Sequence, residues 1–119
     1  MIRILRIGTA TVWIAFGAAK LFDLVPRHRK IVAAVLGESA AGPVTRLIGG
    51  AEVGLGLWIL SGVRPRTCAA TQTVAIATMN ALELRMARDL LLAPVPMVCA
   101  NIAFLAAGWA CALDAHARK

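Results

Sequence analysis

The chain has 119 residues, of which 60% are hydrophobic and only 16% are charged, and its mean hydropathy is +0.76. This length fits one domain, 1–119, and the composition is too apolar for an ordinary soluble protein. The formal net charge is +7, but the basic residues cluster at the ends of long uncharged runs. The expected partner of such clusters is the lipid bilayer, not nucleic acid. We therefore predict an all-α polytopic membrane protein, a bundle of four transmembrane helices.

The first predicted transmembrane helix covers residues 2–24. Arg3 and Arg6 precede its uncharged run, and Lys20 lies near its far end, within reach of the membrane surface or of a partner in the bundle. A basic start, a short apolar core and small residues also fit a cleaved signal peptide. The helical pattern that continues past Lys20 favours a retained span.

A short interfacial helix is predicted next, at about residues 29–37. It follows Pro26 and a basic cluster, and it is too short to cross a bilayer, so we expect it to lie along the headgroups. His28 belongs to that basic cluster and is predicted to be solvated, because no second metal-ligating residue lies near it.

The second predicted span, residues 44–63, carries Glu52 close to its middle. At about 1.5 Å rise per residue, Glu52 lies roughly 12 to 16 Å from either end, near the bilayer centre. A carboxylate at that depth is costly, so it marks a functional or partner-paired site. Small residues around it let another helix, or a second copy of the chain, approach closely. These helix-packing residues are Gly49, Gly50, Gly54 and Gly56.

The third and fourth predicted spans cover residues 67–86 and 90–113. The connection before the third span is short, which favours antiparallel packing of that helix beside the second. Four spans place both termini on one side of the membrane. Lysine and arginine are almost equally frequent on the two sides; we predict cytoplasmic termini and, for a bacterial protein, the inner membrane.

Most polar residues within the spans share one depth range, between mid-membrane and the surface opposite the termini. A four-helix bundle brings them together into one polar pocket, in which Lys20 or Arg46 compensates the charge of Glu52. The candidate ligand-binding residues are Lys20, Arg46, Glu52, Asn80, Glu83 and Asn101. The alternative is that these residues form ion pairs and hydrogen bonds that fix the helix register.

The chemistry of such a pocket is bounded by what the sequence lacks. It contains no metal-ligand set, no Ser-His-Asp arrangement and no phosphate loop, so no catalytic residue is assigned. A polar pocket that opens to lipid suits a quinone ring, with Asn or Glu hydrogen-bonded to its oxygens. Cys68, Cys99 and Cys111 are interpreted as buried apolar residues. Two of them, Cys68 and Cys111, fall at the same membrane surface, where the thiols meet if their helices are neighbours.

Several short motifs resemble those of the DoxX-like membrane proteins. They are G-x-x-K at residues 17–20, the Gly-Gly-Ala-Glu run that ends at Glu52, G-x-R at residues 62–64, and Asn80 to Glu83 followed by Pro94, Pro96 and Asn101. The resemblance implies a four-helix bundle with cytoplasmic termini, and it matches Gly17, Lys20, Glu52 and Arg64 to the family pattern. Members of that family are associated with membrane redox systems, including thiosulfate:quinone oxidoreductase subunits. The C-x-x-C pair of the distantly similar vitamin K epoxide reductases is missing here, so dithiol chemistry is not implied.

Three functions compete at this point. The first is a membrane subunit or accessory of a redox system, with a quinone or a small sulfur species in the pocket and redox proteins as partners. The second is a non-catalytic membrane scaffold or assembly protein. The third is a small permeation or proton-transfer unit, which the sparse polar lining of the terminal half disfavours.

Overall fold

The computed structural model describes the backbone of residues 2–91 and 93–117 and the side chains of all of these except 115–117. Position 92 of the predicted fourth span, position 1 and positions 118–119 lie outside the described residues. The described part of the chain forms helices and no strand, which confirms the all-α prediction. In chain order the helices are α1 (Ile2–Leu21), α2 (Pro26–Leu36), α3 (Glu38–Ser61), α4 (Pro65–Met86), a 3₁₀ turn (Arg88–Leu90) and α5 (Pro94–Ala117).

Three of these helices are long and apolar enough to cross a membrane: α1, α3 and residues Pro94–Asp114 of α5. The helix α4 coincides with the predicted third span and has 22 residues. Its length is therefore sufficient, but it is less apolar than the other three because it carries Gln72 and Asn80 as well as charged residues near its ends. Large apolar side chains lie on the outside of the structure; Ile4 is 74% exposed and Leu47 is 72% exposed. Such a surface fits a protein surrounded by lipid.

The helix that contains the second predicted span, α3, begins at Glu38, six residues before the predicted start of the span at residue 44. Gly37 alone separates α2 from α3, and its φ of 96° lies in the region that glycine adopts without strain. The chain therefore reverses sharply between the two helices. Pro43 lies within α3, where it removes one backbone donor without ending the helix.

The most extensive helix interface joins α1 to α3, and it is built on glycine. A Cβ atom placed on Gly17 would lie 2.6 Å from the carbonyl oxygen of Gly49, and one on Gly56 would lie 2.8 Å from that of Ala10. Side chains at these positions would force the two backbones apart. The glycines thus set the distance between the helices that carry Lys20 and Glu52.

The helix α4 packs chiefly against α5 and makes few contacts with α3. The expectation that the third span packs beside the second is therefore wrong. Arg64, with a left-handed backbone φ of 46°, redirects the chain between them, and α1 already occupies the glycine face of α3. A core around Trp13 and Ile76 joins α1, α4 and α5, and Ile59 adds the end of α3 to it. The rings of Trp13 and Phe104 meet edge to face at 6.0 Å.

Candidate functional site

The centre of the candidate site is an ion pair between α1 and α3. Lys20 Nζ donates a hydrogen bond to Glu52 Oε1, and the two side chains are only 14% and 5% exposed. Gly17 and Gly49 lie about one turn before Lys20 and Glu52, respectively. Their close backbone contact brings the helices near enough for the short carboxylate to meet the ammonium group. Of the two cations offered by the sequence, the structure pairs Lys20 with Glu52.

Arg46, the other candidate cation, lies apart from this pair. It is exposed on α3, beside the buried stripe that Thr45, Gly49 and Glu52 form along that helix. An exposed arginine near the start of a span is placed to meet headgroups or solvent. The structure therefore does not bring Arg46 into the cluster.

Glu52 uses one of its two carboxylate oxygens in the ion pair. The other, Oε2, is buried and has no hydrogen-bond partner among the described residues; the same holds for Thr45 Oγ1. Buried acceptors without partners are rare because each loses the hydrogen bond that water would supply. Glu52 Oε2 is therefore an acceptor that a bound hydroxyl or N–H group would satisfy.

A second carboxylate and a second cation extend the cluster. Glu83, half-buried near the end of α4, interacts electrostatically with Lys20, Glu52 and Arg27. Three long helices and the start of α2 thus contribute charge to one region. The two negative and two positive charges offset each other, which lowers the free-energy cost of burying these side chains together.

Asn80 and Asn101 form a separate contact between α4 and α5. Asn101 Nδ2 donates a hydrogen bond to Asn80 Oδ1 at 3.0 Å, and both side chains are half-buried. Each amide thus finds a partner in the neighbouring helix. The described contacts divide the six candidate residues into a charged cluster of Lys20, Glu52 and Glu83, this amide pair, and the exposed Arg46.

The four predicted packing glycines fall into two pairs. Gly49 and Gly56 are buried against α1, as described above. Gly50 and Gly54 are exposed, and no atom lies within 4 Å of where a Cβ would stand on either. The G-x-x-x-G spacing of the second pair therefore faces outward, available to another helix or to lipid.

His28 differs from its predicted solvated state. It is half-buried on α2, its ring lies 6.2 Å from that of Phe16, and its Nδ1 atom is buried without a hydrogen-bond partner in the described structure. Burial lowers the pKa of His28, and repulsion from Lys20 and Arg27 lowers that pKa further. Its imidazole is thus favoured in the neutral form.

A buried polar network in the other half of the bundle was not expected from the sequence. Trp13 Nε1 donates to Gln72 Oε1 at 3.0 Å, and Gln72 Nε2 donates to Cys68 Sγ at 3.6 Å. On α5, Trp109 Nε1 donates to Thr73 Oγ1 at 2.9 Å. A buried tryptophan needs an acceptor for its N–H. The sequence could therefore have predicted that Trp13 bonds to a polar side chain of α4.

This network borders a cavity of about 370 Å³ at the end of the bundle near the termini. Its walls are the beginnings of α1 and α4 and the ends of α3 and α5. The six residues predicted to bind a ligand do not line it. The polar and charged side chains that do include Arg3, Arg6, Thr9, Cys68, Gln72 and Asp114.

The thiols follow the sequence expectation in part. Cys68 and Cys111 line this same cavity, so they do fall at one end of the bundle. Cys68 is buried and Cys111 half-buried, whereas Cys99 is exposed on α5, contrary to its interpretation as a buried residue. No group of three or more His, Cys, Asp or Glu side chains in the described structure is arranged to hold a metal ion.

An apolar helical bundle with an ion pair buried between two of its long helices defines a class, the small helical membrane proteins. Comparison with known protein families then identifies the family within this class. The family model described as the DoxX-like family matches residues 10–109 of the chain. The chain belongs to the DoxX-like family, as its motifs suggested. No curated protein and no solved structure matches it.

Proposed function

We propose that this DoxX-like protein is a membrane subunit or accessory of a redox system, and that Glu52 holds a quinone-type ring. The observation that carries the proposal is the buried, unpartnered oxygen Glu52 Oε2 beside the Lys20 ion pair. A quinone supplies reversible transfer of two electrons and two protons when it is bound. The contribution of the chain is a fixed hydrogen-bond acceptor at the depth where a lipid-soluble ring resides.

The membrane arrangement in this proposal has four spans, with α4 as the third. Polar residues of α4 bond to partners within the bundle: Gln72 to Trp13, Thr73 to Trp109, and Asn80 to Asn101. Because these groups are satisfied internally, they do not prevent α4 from crossing a membrane. The helix α2, with 11 residues, spans about 17 Å and lies along the surface instead. We place both termini in the cytoplasm and the protein in the inner membrane of a bacterium.

Both Lys20 and Glu52 would contribute to binding the ring. The ammonium group of Lys20 donates to Oε1 and so orients the Glu52 carboxylate, which leaves Oε2 as the acceptor for a ring hydroxyl. Glu83, which interacts electrostatically with both residues, provides a second carboxylate for proton movement toward the α2 side. The chain thus offers a binding and proton-accepting site, and the electrons come from a partner subunit.

Co-purification tests this proposal. Lipid extracts of wild-type protein, Glu52→Gln and Glu38→Gln are compared by mass spectrometry; Glu38 is an exposed acid on the same helix and serves as the matched control. With the quinone pool kept reduced during purification, we expect quinol in the wild type and in Glu38→Gln, and a clear loss in Glu52→Gln, because the proposed acceptor bonds to a ring hydroxyl. The double variant Lys20→Met/Glu52→Gln, which leaves neither charge unpaired, separates loss of the acceptor from misfolding. Equal quinone content in all four proteins would contradict the proposal.

The same contacts support a second function, a non-catalytic scaffold. Lys20–Glu52 and Asn80–Asn101 each join two helices, and the outward pair Gly50 and Gly54 offers a place for a partner helix or a second copy. A scaffold predicts that Glu52→Gln changes stability or oligomeric state without any change in bound quinone. Unchanged stability and oligomeric state in that variant would argue against it.

A further inference from the structure

The cavity at the end of the bundle near the termini is separate from the Glu52 cluster. The first residues of α1 and α4 and the last residues of α3 and α5 form its walls. At about 370 Å³ it reaches the lower end of the range typical of small-ligand sites, roughly 300–1,000 Å³. In a bundle whose helices cross a membrane, the ends of the spans lie at headgroup depth, where phosphate groups are concentrated.

Side chains decide the charge of this cavity. Two helices begin at its wall and two end there, so the partial charges of the helix ends largely cancel. Arg3 and Arg6 contribute two positive charges to the lining and Asp114 contributes one negative charge. The balance is positive, and an anion is the ligand it favours.

Arg6 reaches the cavity wall formed by the end of α3. It is half-buried, and a Cβ built on Gly62 would lie 3.3 Å from its Nη1 atom. Gly62 has a φ of 70°, so the turn that ends α3 requires a glycine and also leaves room for the guanidinium. A guanidinium in such a place binds an oxyanion through two N–H groups at once.

A neutral donor lies in the same cavity. Gln72 is 3% exposed; its Oε1 accepts from Trp13, and one N–H of its Nε2 donates to Cys68 Sγ. A carboxamide has two N–H groups, and none of the described side chains accepts from the second. That N–H is therefore held in place by two hydrogen bonds of its own side chain and is left for a ligand.

Apolar side chains complete the lining, among them Trp58 and Ile59. They suit the glycerol and the first methylene groups that follow a lipid phosphate. We propose that this cavity binds a phosphate-bearing anion, with Arg6 as the cation and Gln72 as the neutral donor. The phosphate comes either from an anionic phospholipid headgroup or from free phosphate.

Cysteine alkylation gives a direct test, because Cys111 lines the cavity and Cys99 is exposed elsewhere on the same helix. Purified protein in phosphate-free dodecyl maltoside is treated with N-ethylmaleimide, and the rate at each cysteine is read by peptide mass spectrometry. Phosphatidylglycerol is added in one arm and inorganic phosphate in the other. At about ten times the dissociation constant, mass action leaves about one cavity in ten empty, so alkylation of Cys111 should slow about tenfold.

Two variants of equal charge change control this test. Arg6→Gln should lose the protection, whereas Arg29→Gln, an exposed arginine on α2, should keep it. Slow alkylation of the buried Cys68 without additives reports that a variant is folded, and alkylation of the exposed Cys99 shows that the reagent acts equally on each protein. The wild-type arms decide the proposal if Arg6→Gln does not fold. Protection by phosphatidylglycerol alone assigns a lipid headgroup, and protection by both additives assigns a free oxyanion. No protection in the wild type, or equal protection in a folded Arg6→Gln protein, would overturn the proposal.

Discussion

At the end of the bundle near α2, charged groups pair with one another across the helices, whereas at the end near the termini polar groups also line an open cavity. Lys20 meets Glu52 where glycines bring α1 and α3 together, and Glu83 joins the same charged region. At the other end, Arg6 and Gln72 line a cavity of about 370 Å³. The comparison shows that one small bundle can use polar residues both to fix its helices and to leave room for a ligand. Variants at the first end should therefore change stability most.

The largest loss of stability is expected for Lys20→Met. It leaves the Glu52 carboxylate buried without its cation, which typically costs about 3–5 kcal/mol. Lys20→Met/Glu52→Gln should recover part of this loss, because neither charge is then left alone. Unfolding in detergent measures all three proteins, with Lys30→Met, an exposed lysine of α2, as the control. Equal losses in the single and the double variant would show that the ion pair does not form.

The next largest loss of stability is expected for substitutions in the glycine contact between α1 and α3. A valine at position 49 places its Cβ 2.6 Å from the carbonyl oxygen of Gly17, and such overpacking costs about 1–3 kcal/mol. Gly50→Val is the matched control, because it adds the same side chain one residue away in open space. Thermal unfolding should separate the two variants clearly. A similar unfolding temperature for both would contradict the close approach of the helices.

A smaller effect is expected at the amide pair. Asn101→Leu removes the donor to Asn80 Oδ1, and interhelical hydrogen bonds in membranes are worth about 1 kcal/mol. Thr71→Val is a suitable control, since the exposed Thr71 hydroxyl bonds only to the carbonyl of Thr67 in its own helix. If Asn101→Leu unfolds like that control, the amide pair adds nothing to the stability of the contact between α4 and α5.

The smallest effect should appear in the pH dependence of stability. The pKa of His28 is lowered in the folded protein, mainly by burial, so below its ordinary value of 6.5 the unfolded chain binds the proton more readily. The contribution of His28 to stability is therefore complete above that pH and declines as the pH falls below it. His28→Asn should flatten this part of the profile of unfolding temperature against pH. An unchanged profile would mean that His28 is solvated after all.

The sequence was most informative where a residue is expensive to bury. Glu52 in the middle of an apolar run and the glycines around it predicted a close helix contact, and the structure places Gly49 and Gly56 in that contact. The choice between Lys20 and Arg46 was not predictable, because it depends on which face of α3 meets α1. The start of α3 was missed because Gly37 and Pro43 read as a break, although the helix passes through the proline.

Polar residues near the end of a span cost little free energy to place there, so their roles were harder to predict from the sequence. Gln72, Arg6 and Cys111 are far apart in the chain, and only the packing of four helix ends brings them to one cavity. The packing partner of α4 likewise depends on the backbone turn at Arg64 and on the contact of α1 with the glycine face of α3. Composition and periodicity do not encode such choices between neighbouring helices.

The central claim is that Glu52 Oε2 accepts a hydrogen bond from a bound ring, and equilibrium binding of a short-chain quinone in both redox states tests it most directly. A carboxylate accepts but does not donate, so wild-type protein and Glu38→Gln should bind the reduced form, which carries hydroxyl groups, more tightly than the oxidised form. In Glu52→Gln the new amide donates to carbonyl oxygens, and this preference should vanish or reverse. The same preference for the reduced form in Glu52→Gln, or no saturable binding of either form to the wild type, would contradict the account.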